Sequence, residues 1–282
     1  MTKLQRNDII MAVHRKKGGV RMEKGMYRVT FTAIPGIPLI QERDDLGSII
    51  VECAKSAGLK FQDKDILVVT SKIVSKAENR LISLKTVQPS RRAHRVAEIS
   101  GKDPKIVELM MKEGNFLEVR HGVIVTVHRL GFICTSAGID KANTGYPEEE
   151  LVSMLPENPD KSAGRIRKKI EELTGKKIGV LINDSLGVQY RNGSIGMTVG
   201  LSGFPALLRS SSGKDLYQKK RNICISFADE IAAAASLLMG QGNVGIPVVL
   251  ARGLRYPRKS GHLRDLIAAE QIKNGLKKKK GV

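Results

Sequence analysis

Three cysteines, Cys53, Cys134 and Cys224, are too few and too scattered in 282 residues for a disulfide framework. None lies in a C-x-x-C pair, which excludes a zinc site built on thiolates. All three are expected as small buried hydrophobes. Tryptophan is absent, and five tyrosines and six phenylalanines leave little for base stacking. No RGG-like or RNP-like pattern occurs. No apolar run approaches the roughly 18 residues that a membrane span needs. The opening MTKLQRNDIIMAVHRKKGGV lacks the apolar core of a secretory signal, so the expected compartment is the cytoplasm.

Acidic residues are also short: 28 Asp and Glu stand against 48 Lys and Arg, a net charge of +20. Residues 1–25 carry seven basic residues against two acids, and residues 252–282 carry ten against two, so the two ends supply +13. A field of this sign draws in phosphorylated metabolites or nucleic acid. Its concentration in the ends, including KKKK at 277–280, reads as solvated basic extensions. With 41% hydrophobic and 27% charged residues, the remainder has the composition of a globular protein able to bury a core.

Local patterns place the elements. YRVTFTAI from Tyr27 alternates as a strand does, and PGIP breaks it. Asp44-Asp45 opens a helix running to Gly58. DILVVTS (65–71) is a buried strand by its length. Residues 90–115 hold two helices, the second capped by Asp103 with Pro104 at its first position. HGVIVTVHR and GFICTSAGID pair around Leu130-Gly131. KSAGRIRKKIEELTGKK is an amphipathic helix ended by Gly175, and IGVLIND is the strand after it. IGMTVGLSG is a glycine-rich strand or turn, and NICISFADEIAAAASLLMG passes from strand into helix. GIPVVLARG is a further strand, and 261–276 is expected to be helical. Strands and helices mix without a regular βαβ repeat, so the fold class is α+β.

The familiar nucleotide signatures are missing. No G-x-x-x-x-G-K-[ST] occurs, since TGKK at 174–177 has Ile170 where the first glycine belongs, and no G-x-G-x-x-G follows a strand. No G-x-S-x-G elbow supports a serine triad, and the five histidines have no ligand spacing. Four segments, read as loops at the ends of elements, have unusual chemistry instead. TSKIVSK (Thr70 to Lys76) gathers hydroxyls with Lys72 and Lys76, groups that bind phosphate oxygens. TSAGIDKAN sets Asp140 and Asn143 after a small-residue turn. INDSLG puts Asp184 and Ser185 where a strand runs into a turn. MGQGNVGIP offers the amide oxygens of Gln241 and Asn243 in a glycine-rich loop. Carboxylate, hydroxyl and amide oxygens are what hard divalent ions take. Each segment also has a plainer reading, as a cap, a turn or a helix stop.

Together and in order, GIPLI, DILVVTSKIVSKAE, AGIDKAN, GKKIGVLINDSLG, YRNG, GLSG, KDLY, ADEIAAAASLLMGQG and GIPVVLARG resemble the coenzyme F(420)-0:L-glutamate ligase family. The resemblance spans about residues 27–255. It implies a family-specific α+β fold forming an intertwined homodimer, with no P-loop and no Rossmann unit. Residues 1–25 are then a basic N-terminal extension, 26–255 the catalytic region of two intertwined subdomains, and 256–282 a basic C-terminal helix and tail. The implied reaction is GTP-dependent. GTP phosphorylates a carboxylate of an acidic deazaflavin precursor, and the amine of L-glutamate attacks the acyl phosphate to form an amide. Mg²⁺ or Mn²⁺ is the implied metal, with K⁺ as a further ion.

By the same resemblance, Asp140 and Asp184 are the paired metal-binding aspartates on which catalysis depends, with Ser185 and Gln241 as further metal ligands. The implied nucleotide contacts are Ile37, Pro38, Leu39, Ile40, Ser71, Lys72, Lys76 and Asn143. Met239, Gly240, Gln241, Gly242, Asn243, Gly245 and Ile246 complete them. Ser136 stands where the family has asparagine, Ala142 where it has serine, Val188 where it commonly has a basic residue, and Lys72 where it commonly has a small hydroxyl residue. These departures leave open a paralogous ligase with another acidic substrate. A nucleic-acid-associated protein is a third reading, resting only on charge that sits mainly in the ends. Nucleic acid and membrane are therefore not among the expected partners.

Overall fold

The computed structural model describes residues 27–145, 147–187 and 192–268. The expected N-terminal extension at 1–25, Val188, and the C-terminal run beyond 268 lie outside them. Along the chain, β1 (Thr30–Ala33) leads through the Pro-Gly-Ile-Pro segment to α1 (Leu46–Ser56). Then follow β2 (Ile66–Thr70), α2 (Ser71–Ala77) and β3 (Leu81–Ser83). α3 (Arg91–Ser100) and α4 (Pro104–Glu113) precede β4 (Gly114–Arg120), β5 (Val123–His128) and β6 (Ile133–Thr135). β7 (Leu151–Ser153), α5 (Pro159–Thr174), β8 (Gly179–Gly187) and β9 (Ser194–Ser202) come next. The last elements are β10 (Leu208–Lys214), β11 (Lys220–Ile225), α6 (Phe227–Met239) and β12 (Val248–Arg252).

The fold is a mixed α+β arrangement around a five-stranded sheet of order β1-β12-β2-β8-β9. β2 and β8 run parallel, and the other neighbours in this sheet are antiparallel. Both faces are covered, which is why β2 reads as an unbroken apolar run rather than an alternating one. The period of two sorts its residues. Leu67 and Val69 pack with Val180, Ile182, Val248 and Leu250 under α1 and α5. Ile66 and Val68 pack with Leu181, Leu201 and Val249 under α6. At roughly 2 kcal/mol for each fully buried aliphatic side chain, these layers dominate the driving force for folding.

Local chemistry sets the helix ends. Asp45 caps α1 by accepting from Ser48 N at 3.2 Å, and Asp103 caps α4 by accepting from Lys105 N at 2.8 Å, next to Pro104. Asn158 caps α5 by accepting from Lys161 N at 3.1 Å, and Gly175 ends it at φ 68°.

The long connection from α2 to α5 builds smaller layers of its own. β3 pairs with β7, and β4, β5 and β6 form an antiparallel meander against α3 and α4. Its polar centre is Glu113, 5% exposed. Its carboxylate accepts from Arg80 Nη2 at 3.1 Å and Arg129 Nε at 3.0 Å, and lies 3.2 Å from His128 Nε2. Leu130 N donates to His128 Nδ1 at 3.1 Å, which holds the opposite edge of the imidazole beside Glu113. β10 and β11 form a separate hairpin with Leu216 94% and Tyr217 83% exposed at its tip.

Several sequence expectations need correction. TSKIVSK is not a loop: from Ser71 it is the helix α2, because the chain leaves the sheet after Thr70 and Ile73 and Val74 have a core to bury into. Asp184 and Ser185 do not sit in a turn, since β8 continues through them to Gly187, held by β9. The strand expected from Tyr27 begins only at Thr30, where pairing with Arg252 starts. In the expected helix at 261–276, the described residues 261–268 contain one short 3₁₀ turn, Leu263–Leu266, and no α-helix; the remainder lies outside the described residues. Cys134 is buried as expected, whereas Cys53 is half-buried and Cys224, on the outlying hairpin, is exposed.

Candidate active site

The sheet topology gathers the unusual segments at one edge. β2 and β8 are parallel, so their C-terminal ends point the same way, the usual position of a ligand crevice in such sheets. The antiparallel β12 begins at that edge and β1 ends there. Thr70 N donates to Pro247 O at 2.9 Å, and Ile34 N donates to Val248 O at 3.0 Å. PGIPLI, the start of α2, the late part of β8 and the glycine-rich segment before β12 are therefore neighbours.

β2 stops at Thr70, opposite Asn183. β8 runs on, and Asp184 and Ser185 pair with Met197 and Gly196 of β9, just past a bulge. The first residue of α2 fills the flank that β2 has vacated, and Ser71 Oγ donates to Asp184 Oδ1 at 2.8 Å. The next residue, Lys72, reaches another segment: its Nζ donates to Asp140 Oδ2 at 2.5 Å and to Ala142 O at 2.6 Å. Asp140 is fixed by a bridge to Ser153 and by Ala142 N, which donates to Oδ1 at 2.8 Å.

The glycine-rich segment is laced to both. Gln241 Nε2 donates to Ser185 Oγ at 2.8 Å, and Asn143 Nδ2 donates to Gly242 O at 2.8 Å. Gly240, Gly242 and Gly245 all have φ between 65° and 86°, the left-handed region that lets the chain turn back into β12. Two contributors had not been singled out in the sequence. Asn183 Nδ2 donates to Ser236 Oγ at 3.0 Å, tying β8 to the last turn of α6, from which the glycine-rich segment departs. Gly196 permits that approach, because a Cβ there would lie 1.9 Å from Ser236 Oγ and 2.7 Å from Ala232 O. Asn183 directly precedes the acid and Gly196 interrupts a strand, which are the only hints the sequence offers.

Not every implied contact faces this edge equally. Ile40 is 4% exposed and belongs to the core under α1, and Ile37 packs against that core. Pro38 is exposed and Leu39 is 82% exposed. Met239, the last residue of α6, is buried, with its Sδ 3.4 Å from Asn183 Nδ2. Gln241, Gly242, Asn243 and Gly245 are exposed, and Gly240 and Ile246 are half-buried.

Electrostatics follow from this packing. Burial pushes the Asp184 carboxyl above its ordinary range, and the like charge of Asp140 adds to this. The Ser71 hydroxyl, the Ser185 N–H and Lys72 pull the other way. Burial pushes Lys76 down, helped by Lys72 one turn earlier and opposed by Glu149. Burial, with Asp184 nearby, raises the Cys134 thiol to about 12, which makes it inert.

Two of the departures from the family pattern have a structural account. Ala142 contributes its backbone N and O, which any residue supplies, so the loss of a serine there leaves those contacts intact. Ser136 sits at φ 56°, a left-handed conformation that asparagine tolerates better than serine.

The donor set suits a hard cation: two carboxylates, a hydroxyl and an amide oxygen, with no soft ligand required. Among the described residues no three of His, Cys, Asp and Glu gather as a metal cage. A set of two carboxylates, one hydroxyl and one amide oxygen fits an ion that keeps positions for water and phosphate oxygens, as Mg²⁺ does.

A model of the F420-0:Gamma-glutamyl ligase family matches residues 36–253, and the chain belongs to that family. Within it, the "Coenzyme F420:L-glutamate ligase" of Methanothermobacter thermautotrophicus is 39% identical over 239 residues, covering 84% of this chain and 92% of that protein. The protein of the same name from Archaeoglobus fulgidus is 38% identical over 245 residues, covering 86% and 95%. That from Methanocaldococcus jannaschii is 38% identical over 213 residues, covering 75% and 84%. Among the described residues no helix is long and apolar enough to cross a membrane.

Proposed function

We propose that this chain joins L-glutamate to a coenzyme F420 precursor through a γ-glutamyl-type amide bond, using GTP. Family membership supports the ligase chemistry. The observation that carries the assignment to this edge is the convergence of Asp140, Asp184, Ser185 and Gln241 from three separate segments beside Lys72 and Lys76. In the proposed reaction the γ-phosphoryl group passes to a carboxylate oxygen of the acidic precursor, and GDP leaves. The glutamate amine then forms a C–N bond at the activated carbonyl carbon, the C–O bond to phosphate breaks, and the amine proton goes to solvent or a base.

Asp140 and Asp184 would hold Mg²⁺ or Mn²⁺, with Ser185 and Gln241 completing the protein's share. A divalent ion there supplies neutralisation of polyphosphate charge. Lys76, half-buried one helical turn beyond Lys72, adds a cation for the phosphates. The exposed segment from Gln241 to Gly245 allows the nucleotide to approach closely.

The homodimer belongs to the same proposal. A two-stranded hairpin on its own is marginally stable in water, and the β10–β11 hairpin carries exposed Leu216 and Tyr217. These exposed side chains support that reading, since a second copy of the chain would cover them.

The test is GDP release by the purified chain with GTP, a divalent metal, L-glutamate and the deazaflavin precursor. Release that needs both glutamate and precursor is expected. No turnover under these conditions overturns the assignment, and turnover only with a different acid moves it to a paralogous ligase.

A further inference from the structure

We propose that Lys72 is a tethered cation that holds Asp140 in place of a metal ion, so that a divalent ion reaches Asp140 only by displacing this ammonium. The inference rests on the reading of Asp140 and Asp184 as the cation-binding pair.

The geometry is that of an occupied cation position. Nζ lies 2.5 Å from a carboxylate oxygen of Asp140 and 2.6 Å from the main-chain carbonyl of Ala142. A carboxylate with a backbone carbonyl is a ligand combination that hard cations take. An ammonium is a compact point charge suited to stand in for one. The other Asp140 oxygen is held by Ala142 N at 2.8 Å, so both oxygens are engaged.

The lysine is not a loose surface side chain, since only 23% of it is exposed. Its backbone is fixed because the preceding residue, Ser71, is bound to Asp184 at 2.8 Å. One helix start therefore places a hydroxyl on one aspartate and an ammonium on the other. The local charge sum points the same way. Lys72 and Lys76 stand against Asp140, Asp184 and Glu149, which leaves a much reduced field to attract a free divalent ion. An incoming polyphosphate changes that sum. Its negative oxygens offer the ammonium another partner, and Asp140 is then released to an ion that arrives with the phosphates.

The consequence is measurable without turnover. In Mn²⁺ titrations of the full chain without nucleotide, followed by electron paramagnetic resonance, Lys72→Met is expected to bind Mn²⁺ at least about tenfold more tightly than the wild type. A unit positive charge within a few ångströms accounts for an effect of that order. The gain is expected to vanish in the double variant K72M/D140N.

Equal affinity in the wild type and K72M overturns the inference alone, provided that Asp140→Asn and Asp184→Asn weaken binding. Binding indifferent to Asp140 and Asp184 overturns the metal reading as well. If K72M does not fold, the wild type decides, through reductive methylation of Lys72 read by peptide mass spectrometry. Saturating Mn²⁺ is expected to raise Lys72 labelling several-fold, and unchanged labelling overturns the proposal.

Discussion

The hydroxyl of Ser71 donates to the carboxylate of Asp184, 113 residues further along the chain, at 2.8 Å. This bond joins the end of one parallel strand to the overshoot of its neighbour, so the orientation of the acid depends on a residue from the other side of a long insertion. Ser71→Ala removes one hydrogen bond to a charged group, worth about 2 kcal/mol. The expected outcome is a drop in kcat of about tenfold or more with an unchanged circular dichroism spectrum. Asp184→Asn is expected to lower it by at least about a hundredfold.

Gly196→Ala tests how closely α6 must approach β9. The added methyl would meet Ser236 Oγ at 1.9 Å and Asn183 Oδ1 at 2.8 Å. Overpacking of this kind costs about 1–3 kcal/mol. A fall in Tm of several degrees is expected, together with loss of activity, because Ser236 and Asn183 position the segment that carries Gln241. An unchanged Tm would show that the helix has room to shift.

Glu113 predicts acid sensitivity outside the site. Burial alone would raise its carboxyl, but His128, Arg129 and Arg80 outweigh that, and the group titrates below its ordinary value of 4.5. A carboxylate lowered on folding stabilises above its unfolded value and loses that contribution as pH falls through the folded one. Wild-type stability is thus expected to decline below about pH 4.5, as the ordinary carboxylate range implies. Glu113→Gln takes the carboxylate from Arg129 and leaves Arg80 only its 3.6 Å pair with the exposed Glu157, at a cost of roughly 3 kcal/mol near neutral pH. Urea denaturation at pH 7 and pH 4 is expected to show a gap between the two proteins that narrows in acid.

Asp65, 1% exposed, accepts from Arg252 Nε at 2.8 Å and Nη2 at 2.7 Å. The fork ties the start of β2 to the end of β12. Arg252→Lys keeps the charge and loses the bidentate geometry, whereas Arg252→Leu loses both. Thermal denaturation is expected to rank Tm as wild type, then lysine, then leucine.

The hairpin tip gives a test of assembly. Leu216→Glu with Tyr217→Glu places two like charges where the proposed second copy packs. Sedimentation velocity is expected to show monomer for this variant and dimer for the wild type. A dimer in both would move the interface elsewhere.

What the sequence made legible was whatever depends on local rules. The caps at Asp45 and Asp103, the stop at Gly175 and the buried run 66–70 are each decided within a few residues. Asp140 and Asp184 could be singled out because nine blocks occur in one order. What stayed hidden depends on distant partners. TSKIVSK looks like a polar loop until the vacated flank of β8 gives Ile73 and Val74 somewhere to pack. INDSLG looks like a turn until β9 pairs beyond it. Lys72 carries the same charge whether it faces a phosphate or Asp140, and no local pattern distinguishes the two.

Among the described residues the last strand to leave the ribosome, β12, is inserted between β1 and β2 rather than added at the rim. The first strand consequently has no sheet neighbour until residue 248 and its successors are made. β2 must likewise wait for β8 across the whole connection that begins at Ser71. Contacts of such long sequence separation make for slow, late-closing folding. Because the Gly240–Pro247 segment leads directly into β12, closing the sheet and bringing Gln241 to Ser185 are one event. A nascent chain that has not yet reached β12, or one clipped before it, therefore lacks both the closed sheet and the contact of Gln241 with Ser185.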